Sequence, residues 1–442
     1  MILNCREENI WRQIMQCRFG PLVKGDKVSR KGDTHSMDPT RLNVYRLNNS
    51  VMARTGSALS HFECVFTGET YETDFTDFPV EGQLLDPQYD YGEVDVTREQ
   101  VERRGGSMWK YQELLPIEDT DYVVSLGEGE TPLVSSDRLA DHLGVGRLLL
   151  KDEGQNPTNT FKARGASASI SGALQQGINE VALATAGNAG QAASAYAAHA
   201  GLDCHVFVPH QAGDIQKRMT EAHGANVRLV DGKISDAGAA FTEDLAANDR
   251  YSVATFHTPF RHEGKKTMGL ELFEQLDWTT PDHIVYPTGG GVGLVGIWKA
   301  YKELLELGWL DETETPALHV AQSSGNAPIV RALEEEADAH TVWENPDSVA
   351  RGVEVPDPGA SSWLIDIVTE SGGTGVQVSD ETAIEASRTA ARLSGVEMCV
   401  EAGVALASVA ELAGDGTIDD DEEVVVLNTG AGCKSADLIG NL

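Results

Sequence analysis

The stretch at positions 147–164 reads RLLLKDEGQNPTNTFKAR, an apolar run followed by a turn and then by a lysine. The run Arg147–Lys151 has the length and aliphatic content of a buried strand. Pro157 and the threonines and asparagines around it predict a turn, after which Lys162 begins a helix. Apolar neighbours and a helix N-terminus disfavour an ammonium ion, so the amine of Lys162 can be neutral and can form an imine. An isolated lysine at a helix start is usually just solvated, so other residues must support this interpretation.

Short β-rich runs alternate with Ala-rich helical stretches from Arg147 to about Val320, which is typical of parallel βαβ units. One more strand is predicted near the C-terminus, and helices are predicted at Gln191–His199 and Gly296–Leu305. The sequence therefore predicts an α/β fold in which each sheet is mostly parallel and flanked by helices. The predicted strands are Arg147–Lys151, Glu180–Ala184, His205–Val208, Val227–Val230, Ser252–Phe256, His283–Tyr286, Leu318–Ala321 and Glu423–Leu427.

Three further stretches follow predicted strands and offer polar groups. Asn188, in the turn 185–190, carries an amide that can bond to a phenolate oxygen or a carboxylate. The stretch Pro287–Gly293 has glycine at 289, 290, 291 and 293 and precedes a helix, so its backbone can wrap around a phosphate. Thr429 ends the last strand with a hydroxyl that suits an aromatic ring nitrogen. Taken singly, each of these is also an ordinary turn or strand end.

The four stretches together indicate a cofactor. A lysine for an imine, an amide for a ring oxygen, glycines for a phosphate and a hydroxyl for a ring nitrogen are the contacts that pyridoxal 5′-phosphate (PLP) requires. Each contact follows a predicted strand, where ligands of α/β proteins bind. We therefore predict PLP as the cofactor and Lys162 as the catalytic residue, because a lysine freed by the substrate amine can move protons.

At this point the sequence resembles the fold-type-II PLP enzymes, the tryptophan synthase β-like superfamily, over roughly residues 120–440. Within that superfamily it resembles the threonine synthases. The motifs that carry the likeness are Glu128-Gly129-Glu130-Thr131-Pro132-Leu133, Asn156–Arg164, Pro287–Gly293 continuing into Trp298-Lys299-Ala300, Ala327-Pro328-Ile329-Val330 and Thr429-Gly430-Ala431-Gly432.

The resemblance implies a role for each site residue. It also implies two α/β domains with the cofactor in the cleft between them, and a homodimer. Phe161 would pack beside the cofactor ring, Lys162 would carry the cofactor, Asn188 would bond to the ring hydroxyl, and Thr429 would face the ring nitrogen. The cofactor phosphate would lie against Gly289, Gly290, Gly291, Val292 and Gly293, and the substrate carboxylate against Thr185, Ala186, Gly187, Asn188 and Ala189.

The implied activity is that of a carbon–oxygen lyase that converts O-phospho-L-homoserine and water to L-threonine and phosphate. Threonine synthases commonly have Asp after the lysine, whereas Ala163-Arg164-Gly165-Ala166 follows here and is similar to serine and threonine dehydratases. A threonine or serine dehydratase (ammonia-lyase), or another β-replacement enzyme of the superfamily, is therefore an alternative. A catalytically silent protein that binds PLP or an amino acid is the alternative from another class.

A second anion site for the substrate phosphate would distinguish the synthase from the dehydratase. The sequence offers Arg164 and Lys151, with nearby serines and threonines, as candidate residues for that site.

Composition excludes several partners. The 34 Lys and Arg residues against 69 Asp and Glu give a formal net charge of −35, which repels nucleic acids and anionic membranes. Because the acidic residues are spread along the chain, we predict a halophile-like surface. The six cysteines lack metal-ligand or disulfide-framework spacing, which predicts a reducing cytoplasm and no metal site.

Three segments are predicted along the chain. Residues 1–51 hold nine basic and five acidic residues, unlike the acidic remainder, and we predict a disordered extension or a mis-assigned start. Residues 52–120 form a lead-in whose part around Cys64 resembles the remnant of a Cys-rich ribbon. Residues 121–442 form the catalytic region, with a smaller domain of about residues 150–250 inserted in a larger one.

Overall fold

A computed structural model of the chain describes residues 57–185, 187–310 and 315–440. The predicted extension at 1–51 lies outside these ranges. The described residues belong to one compact unit.

The strands form three sheets. The strands are β1 Leu59–Cys64, β2 Thr70–Tyr71, β3 Leu85–Tyr89, β4 Leu133–Ser135, β5 Arg147–Asp152, β6 Glu180–Ala184, β7 Asp203–Pro209, β8 Asn226–Val230, β9 Tyr251–Ser252, β10 His283–Pro287, β11 Ala317–Ser323, β12 Gly375–Val378 and β13 Glu423–Asn428. The first three strands form an antiparallel sheet in the order β2-β1-β3. A six-stranded sheet has the order β12-β11-β10-β13-β5-β4 and is parallel except for β4, and a parallel four-stranded sheet has the order β8-β7-β6-β9.

Helices lie between the successive parallel strands of the two larger sheets. The helices are α1 Arg98–Arg103, α2 Asp137–Leu143, α3 Lys162–Gln175, α4 Asn188–Ala200, α5 Asp214–Ala222, α6 Ile234–Ala247, α7 Phe260–Gln275, α8 Val292–Glu306, α9 Pro328–Glu334, α10 Ser361–Glu370, α11 Asp380–Ser394, α12 Val400–Asp415 and α13 Ala436–Ile439. Within the described ranges, no helix is both long enough and apolar enough to cross a bilayer.

The six-stranded sheet is covered on both faces, as its aliphatic strands require. On β13, Val425 and Leu427 belong to the core cluster that contains residues of α7 and α8. Val424 and Val426, which point to the opposite face, belong to the cluster that contains residues of α11 and α12. A strand buried on both faces has a continuous apolar run, and Glu423–Leu427 was recognisable in the sequence for that reason.

The predicted α/β fold with mostly parallel sheets is confirmed. One strand was predicted wrongly: the run Ser252–Phe256 contributes only Ser252 to β9, because the chain turns directly afterwards and Phe256 has a φ of 61°. The strands β4 and β12 and the antiparallel sheet β1–β3 were not predicted.

The four-stranded sheet is an insertion in sequence between two strands of the six-stranded sheet. The chain leaves the larger sheet after β5, forms β6 to β9, and returns with β10. The division into a smaller domain of about residues 150–250 and a larger one stays a prediction.

A buried cluster of charges holds α3 against the rest of the protein. All five N–H donors of the Arg164 guanidinium are used: two reach Glu153 at 2.7 Å each, one reaches Glu271 at 3.0 Å, and the others reach Thr267 and Thr131 at 3.2 and 3.3 Å. The side chain of Arg164 is fully buried. Its two carboxylate partners hold the pKa of the guanidinium above its ordinary value although burial alone would lower it.

The same cluster corrects the prediction of a substrate-binding Arg164. With every donor engaged, its guanidinium has none left for a substrate. Lys151 is engaged in the same way, because its ammonium donates to the Glu271 carboxylate, to Gln275 at 2.7 Å and to the Thr131 carbonyl at 2.9 Å. Both cations are therefore structural.

We expect Arg164→Met to lower the free energy of unfolding by about 3–5 kcal/mol, because it leaves two buried carboxylates without their partner. Arg147→Met is the matched control, since Arg147 forms an exposed pair with Glu423 and its loss should cost less than about 1 kcal/mol. Urea unfolding followed by circular dichroism measures both. Equal losses in the two variants would contradict the structural role of Arg164.

Candidate active site

Three neighbouring strands of the six-stranded sheet deliver the main site loops. In the order β10-β13-β5 the three strands are adjacent and parallel, so their carboxyl ends lie at one edge of the sheet. The glycine loop follows β10, Thr429 follows β13, and the turn before Lys162 follows β5. Ligands of open α/β sheets bind at this edge.

Backbone hydrogen bonds join the lysine loop to the loop after β13. The amide of Phe161 donates to the Thr429 carbonyl at 3.1 Å, and the amide of Ala431 donates to the Asn159 carbonyl at 3.0 Å. Thr160 and Gly430 form an antiparallel bridge between the same segments. Lys162, the first residue of α3, is therefore held in a defined position relative to Thr429.

The loops surround a cavity of about 700 Å³. Its volume is in the range of pockets that hold cofactors and small ligands. The cavity brings together most residues that the sequence proposed as cofactor contacts, namely Phe161, Lys162, Asn188, Gly289, Gly290, Gly291, Val292 and Thr429.

The amine of Lys162 is poised near neutrality. Burial, followed by the positive charge of Arg261, lowers its pKa to about 7, and the carboxylate of Glu401 opposes this shift. The Nζ atom lies 4.3 Å from the centroid of the Phe161 ring. At neutral pH a large fraction of this amine carries a free electron pair, which nucleophilic and proton-transfer chemistry both need.

The glycine loop is built for close approach of a ligand to the backbone. A Cβ at Gly289 would lie 2.9 Å from Val355, and one at Gly291, where φ is +73°, would lie 2.3 Å from Leu364. At Gly290 the nearest atom would be a methyl group of Thr255 at 3.8 Å, so this residue has room on its cavity side. The loop leads into the fifteen-residue helix α8, whose N-terminal amides and dipole favour an anion.

Asn188 contributes an unsatisfied polar atom to the cavity. It is the first residue of α4, and its buried Oδ1 has no hydrogen-bond partner among the described residues. Buried polar atoms are nearly always bonded, so an unpartnered one at a cavity wall indicates a ligand.

Comparison with known proteins identifies the family. Residues 124–430 match the family model described as pyridoxal-phosphate dependent enzyme. A threonine synthase of Methanosarcina acetivorans is 36% identical over 376 residues, which cover 84% of this chain and 91% of that protein. A threonine synthase of Methanocaldococcus jannaschii is 34% identical, with 85% and 93% of the two chains covered. The chain therefore belongs to the pyridoxal-phosphate-dependent enzymes, in the threonine synthase family.

Solved structures support the same fold. Threonine deaminase isoform 2 from Solanum lycopersicum is similar with a TM-score of 0.60 and 21% identity, over 71% of this chain and 89% of that one. An L-serine ammonia-lyase from Rhizomucor miehei has a TM-score of 0.59 and 22% identity, over 69% and 94%. At these identities the similarity is evidence for the fold and not for the activity.

The residues present fit the cofactor that the family implies. The open face of Gly290 before a helix N-terminus suits its phosphate, and the amine of Lys162 suits its aldehyde. The unpartnered amide oxygen of Asn188 marks a side chain free to bond to the ring substituent, and the hydroxyl of Thr429 is on the same cavity.

Some predicted site residues lie away from the cavity wall. Gly293 packs instead against Tyr286, because a Cβ there would lie 2.0 Å from the tyrosine hydroxyl. In the predicted carboxylate turn, the Thr185 hydroxyl accepts a hydrogen bond from the Gly187 amide at 3.0 Å, and only Asn188 lines the cavity. Ala189 does not line the cavity, and Ala186 lies outside the described residues.

Cys399 and Glu401 are among the polar residues of the cavity that sequence reasoning missed. The Cys399 sulfur lies 4.0 Å from the Thr429 hydroxyl, and burial raises the pKa of this thiol well above its ordinary value. Glu401 accepts a hydrogen bond from the Gly352 amide at 2.9 Å. Cys399 directly precedes α12, and Glu401 lies in the first turn of that helix. They follow a helical stretch and not a strand, so the sequence pattern gave no signal of a site there.

We expect the covalent attachment of cofactor to Lys162 to depend on pH with a midpoint near 7. A lowered pKa means that the amine is protonated below pH 7 and neutral above it. The apoprotein is mixed with PLP at pH values from 6 to 10 and reduced with borohydride, and the modified lysine is quantified by peptide mass spectrometry.

Lys162→Ala should lose this modification, and Lys302→Ala, which removes an exposed lysine paired with Glu370, should keep it. A midpoint near the ordinary lysine pKa of about 10.4, or attachment to another lysine, would contradict the assignment.

Proposed function

We propose that the enzyme converts O-phospho-L-homoserine and water into L-threonine and phosphate. The support from comparison is the relatedness to threonine synthases over most of the chain. The observation that carries the proposal is a pair of buried basic side chains next to Lys162, namely Arg261 and Lys265, which have no carboxylate partner among the described residues.

Burial is especially unfavourable for the amine of Lys265. It is fully buried in α7, and its Nζ has no hydrogen-bond partner among the described residues. Burial, followed by the positive charges of Lys162 and Arg261, lowers its pKa well below the ordinary value. The atom lies 4.6 Å from the centroid of the Phe161 ring, the same ring that Lys162 approaches.

Arg261 lies one helical turn before Lys265. Its guanidinium donates to the Val253 carbonyl at 2.6 Å, and burial without a compensating charge lowers its pKa to about 10. Gly165 gives both side chains room against α3, because a Cβ there would lie 3.1 Å from a carbon of each. The contrast with Arg164, whose carboxylates balance its charge, indicates that this second group is kept for an anion from outside the protein.

A phosphorylated substrate provides such an anion. The leaving phosphate gains negative charge as its bond to carbon breaks, and cations fixed in a buried site stabilise that charge. A dehydratase expels only a hydroxyl group, so that reaction gives no reason to bury basic side chains without a carboxylate partner. The basic side chains of Arg261 and Lys265 therefore favour the phosphate-releasing reaction.

The reaction needs proton transfers that this chain's own groups can perform. Bound PLP supplies an electron sink for the negative charge left on the substrate α-carbon. Lys162 can accept and return protons at neutral pH because its pKa is about 7. Gly289, Gly290 and Gly291 would hold the cofactor phosphate, while Asn188 and Thr429 would orient the ring.

The reaction is tested directly with the purified holoenzyme. With O-phospho-L-homoserine we expect phosphate and L-threonine in equal amounts, measured by a phosphate assay and by chromatography. With L-threonine alone we expect no steady release of 2-oxo acid. Release of 2-oxo acid from L-threonine together with no phosphate from O-phospho-L-homoserine would instead identify a dehydratase.

We expect Lys265→Met to weaken binding of the phosphorylated substrate without destabilising the protein. Loss of a charge-assisted contact should raise KM by about ten- to a hundredfold and weaken inhibition by inorganic phosphate equally. The melting temperature should stay the same or rise, because an unpartnered buried amine is removed. Lys217→Met, which removes a lysine of α5 paired with Asp214, is the control with unchanged KM, and a lower melting temperature with unchanged KM for Lys265→Met would contradict the anion site.

The cysteines bear on the compartment in which the enzyme works. The described cysteines Cys64, Cys204, Cys399 and Cys433 are free thiols, which supports a reducing compartment such as the cytoplasm. The homodimer and the halophile-like surface stay predictions.

A further inference from the structure

One wall of the active-site cavity comes from the segment before the catalytic region. Every residue from Pro79 to Leu84 lines the cavity, and so does Phe66, which lies in the turn between β1 and β2. The Phe66 side chain is 46% exposed. None of these residues was predicted to take part in the site.

The turn Pro79–Leu84 is braced by its own sheet. Gln83 donates from its amide to Glu69 at 2.7 Å and accepts from the Tyr71 hydroxyl at 2.7 Å. The amide of Val65 donates to the Leu84 carbonyl at 2.9 Å, and the amide of Gln83 donates to the Val80 carbonyl at 3.1 Å. The turn therefore presents a fixed surface to the cavity.

Aromatic packing fixes the turn to the start of α7. Phe78, directly before the turn, packs edge-on against Phe62 at 5.5 Å and against Phe260 at 6.0 Å between ring centroids. Phe260 is the first residue of α7 and is followed by Arg261. The wall of the cavity and the proposed anion-binding cations are thus positioned by one aromatic cluster.

A buried polar network fixes β3 to the same helices. The Asp86 carboxylate pairs with His262 at 2.9 Å and with the Lys299 ammonium at 2.6 Å, which together hold its pKa well below the ordinary value. Lys299 also reaches Glu263 at 2.8 Å. Asp86, His262 and Glu263 are close enough to share a metal ion, and the ammonium of Lys299 already bonds to both of the carboxylates.

We propose that the turn Pro79–Leu84 is part of the substrate site, and that Val80 limits the size of the amino-acid side chain that binds beside the cofactor. This inference rests on the proposed function, because it takes the cavity ligand to be an amino acid. Val80 is half-buried and lines the cavity, and neighbouring Leu84 adds a second apolar side chain.

Site-directed labelling tests the position of Val80. In the PLP-loaded Val80→Cys enzyme, the rate of alkylation by N-ethylmaleimide at residue 80 is followed by peptide mass spectrometry, with and without saturating L-threonine. We expect several-fold protection by L-threonine. Asp74→Cys, an exposed position of the same segment outside the cavity lining, should be alkylated at the same rate in both conditions.

L-threonine serves as the probe because it is the product of a synthase and the substrate of a dehydratase. Protection would therefore support the position of Val80 in the substrate site even if O-phospho-L-homoserine were not turned over. The test thus distinguishes failure of this inference from failure of the proposed synthase reaction.

A bulky variant gives a second, independent measurement. Val80→Trp should raise KM for the amino-acid substrate at least about tenfold, because the larger side chain fills substrate space. The absorbance of the lysine-bound cofactor should stay unchanged, which shows that the fold and the Lys162 site persist. Equal alkylation of Val80→Cys with and without L-threonine, or an unchanged KM in the folded Val80→Trp enzyme, would overturn the proposal.

Discussion

The parallel pairing of β10, β13 and β5 is the constraint on which the site depends. Because the three strands are neighbours with the same direction, the loops that follow them must emerge side by side. Backbone bonds between the Lys162 loop and the Thr429 loop then fix their separation, and the glycine loop is held by the strand on the other side of β13. Residues more than a hundred positions apart in sequence thereby share one cavity.

Charge burial separates structural from functional cations. Arg164 and Lys151 lie among carboxylates and amide groups that use all of their donors, so they add cohesion and no reactivity. Among the described residues, Arg261 and Lys265 have no carboxylate partner, and burial lowers the pKa of both side chains. Buried basic side chains without a carboxylate partner lower the stability of the folded protein. Their presence beside the cofactor cavity is explained if they bind a ligand.

Local signals explain what the sequence could predict. Lys162 and the glycine loop were recognisable because a strand, a turn and a helix start follow one another within about ten residues, and the fold class followed from the same alternation. Pairing in space has no local signal: Lys265 and Lys266 are adjacent, yet Lys266 bonds to Glu263 and Glu303 while Lys265 bonds to neither. Arg164 was misjudged for this reason. The contribution of the segment around Val80 likewise depends on tertiary packing against Phe260.

The central claim is that Lys162 and the glycine loop after β10 hold one cofactor molecule between them. A crystal structure of the enzyme grown with PLP tests this most directly. The account predicts continuous density from the Lys162 Nζ to the cofactor, with the phosphate against the amides of Gly289–Gly291 at the start of α8. A cofactor bonded to a different lysine, or a phosphate bound away from that loop, would contradict it.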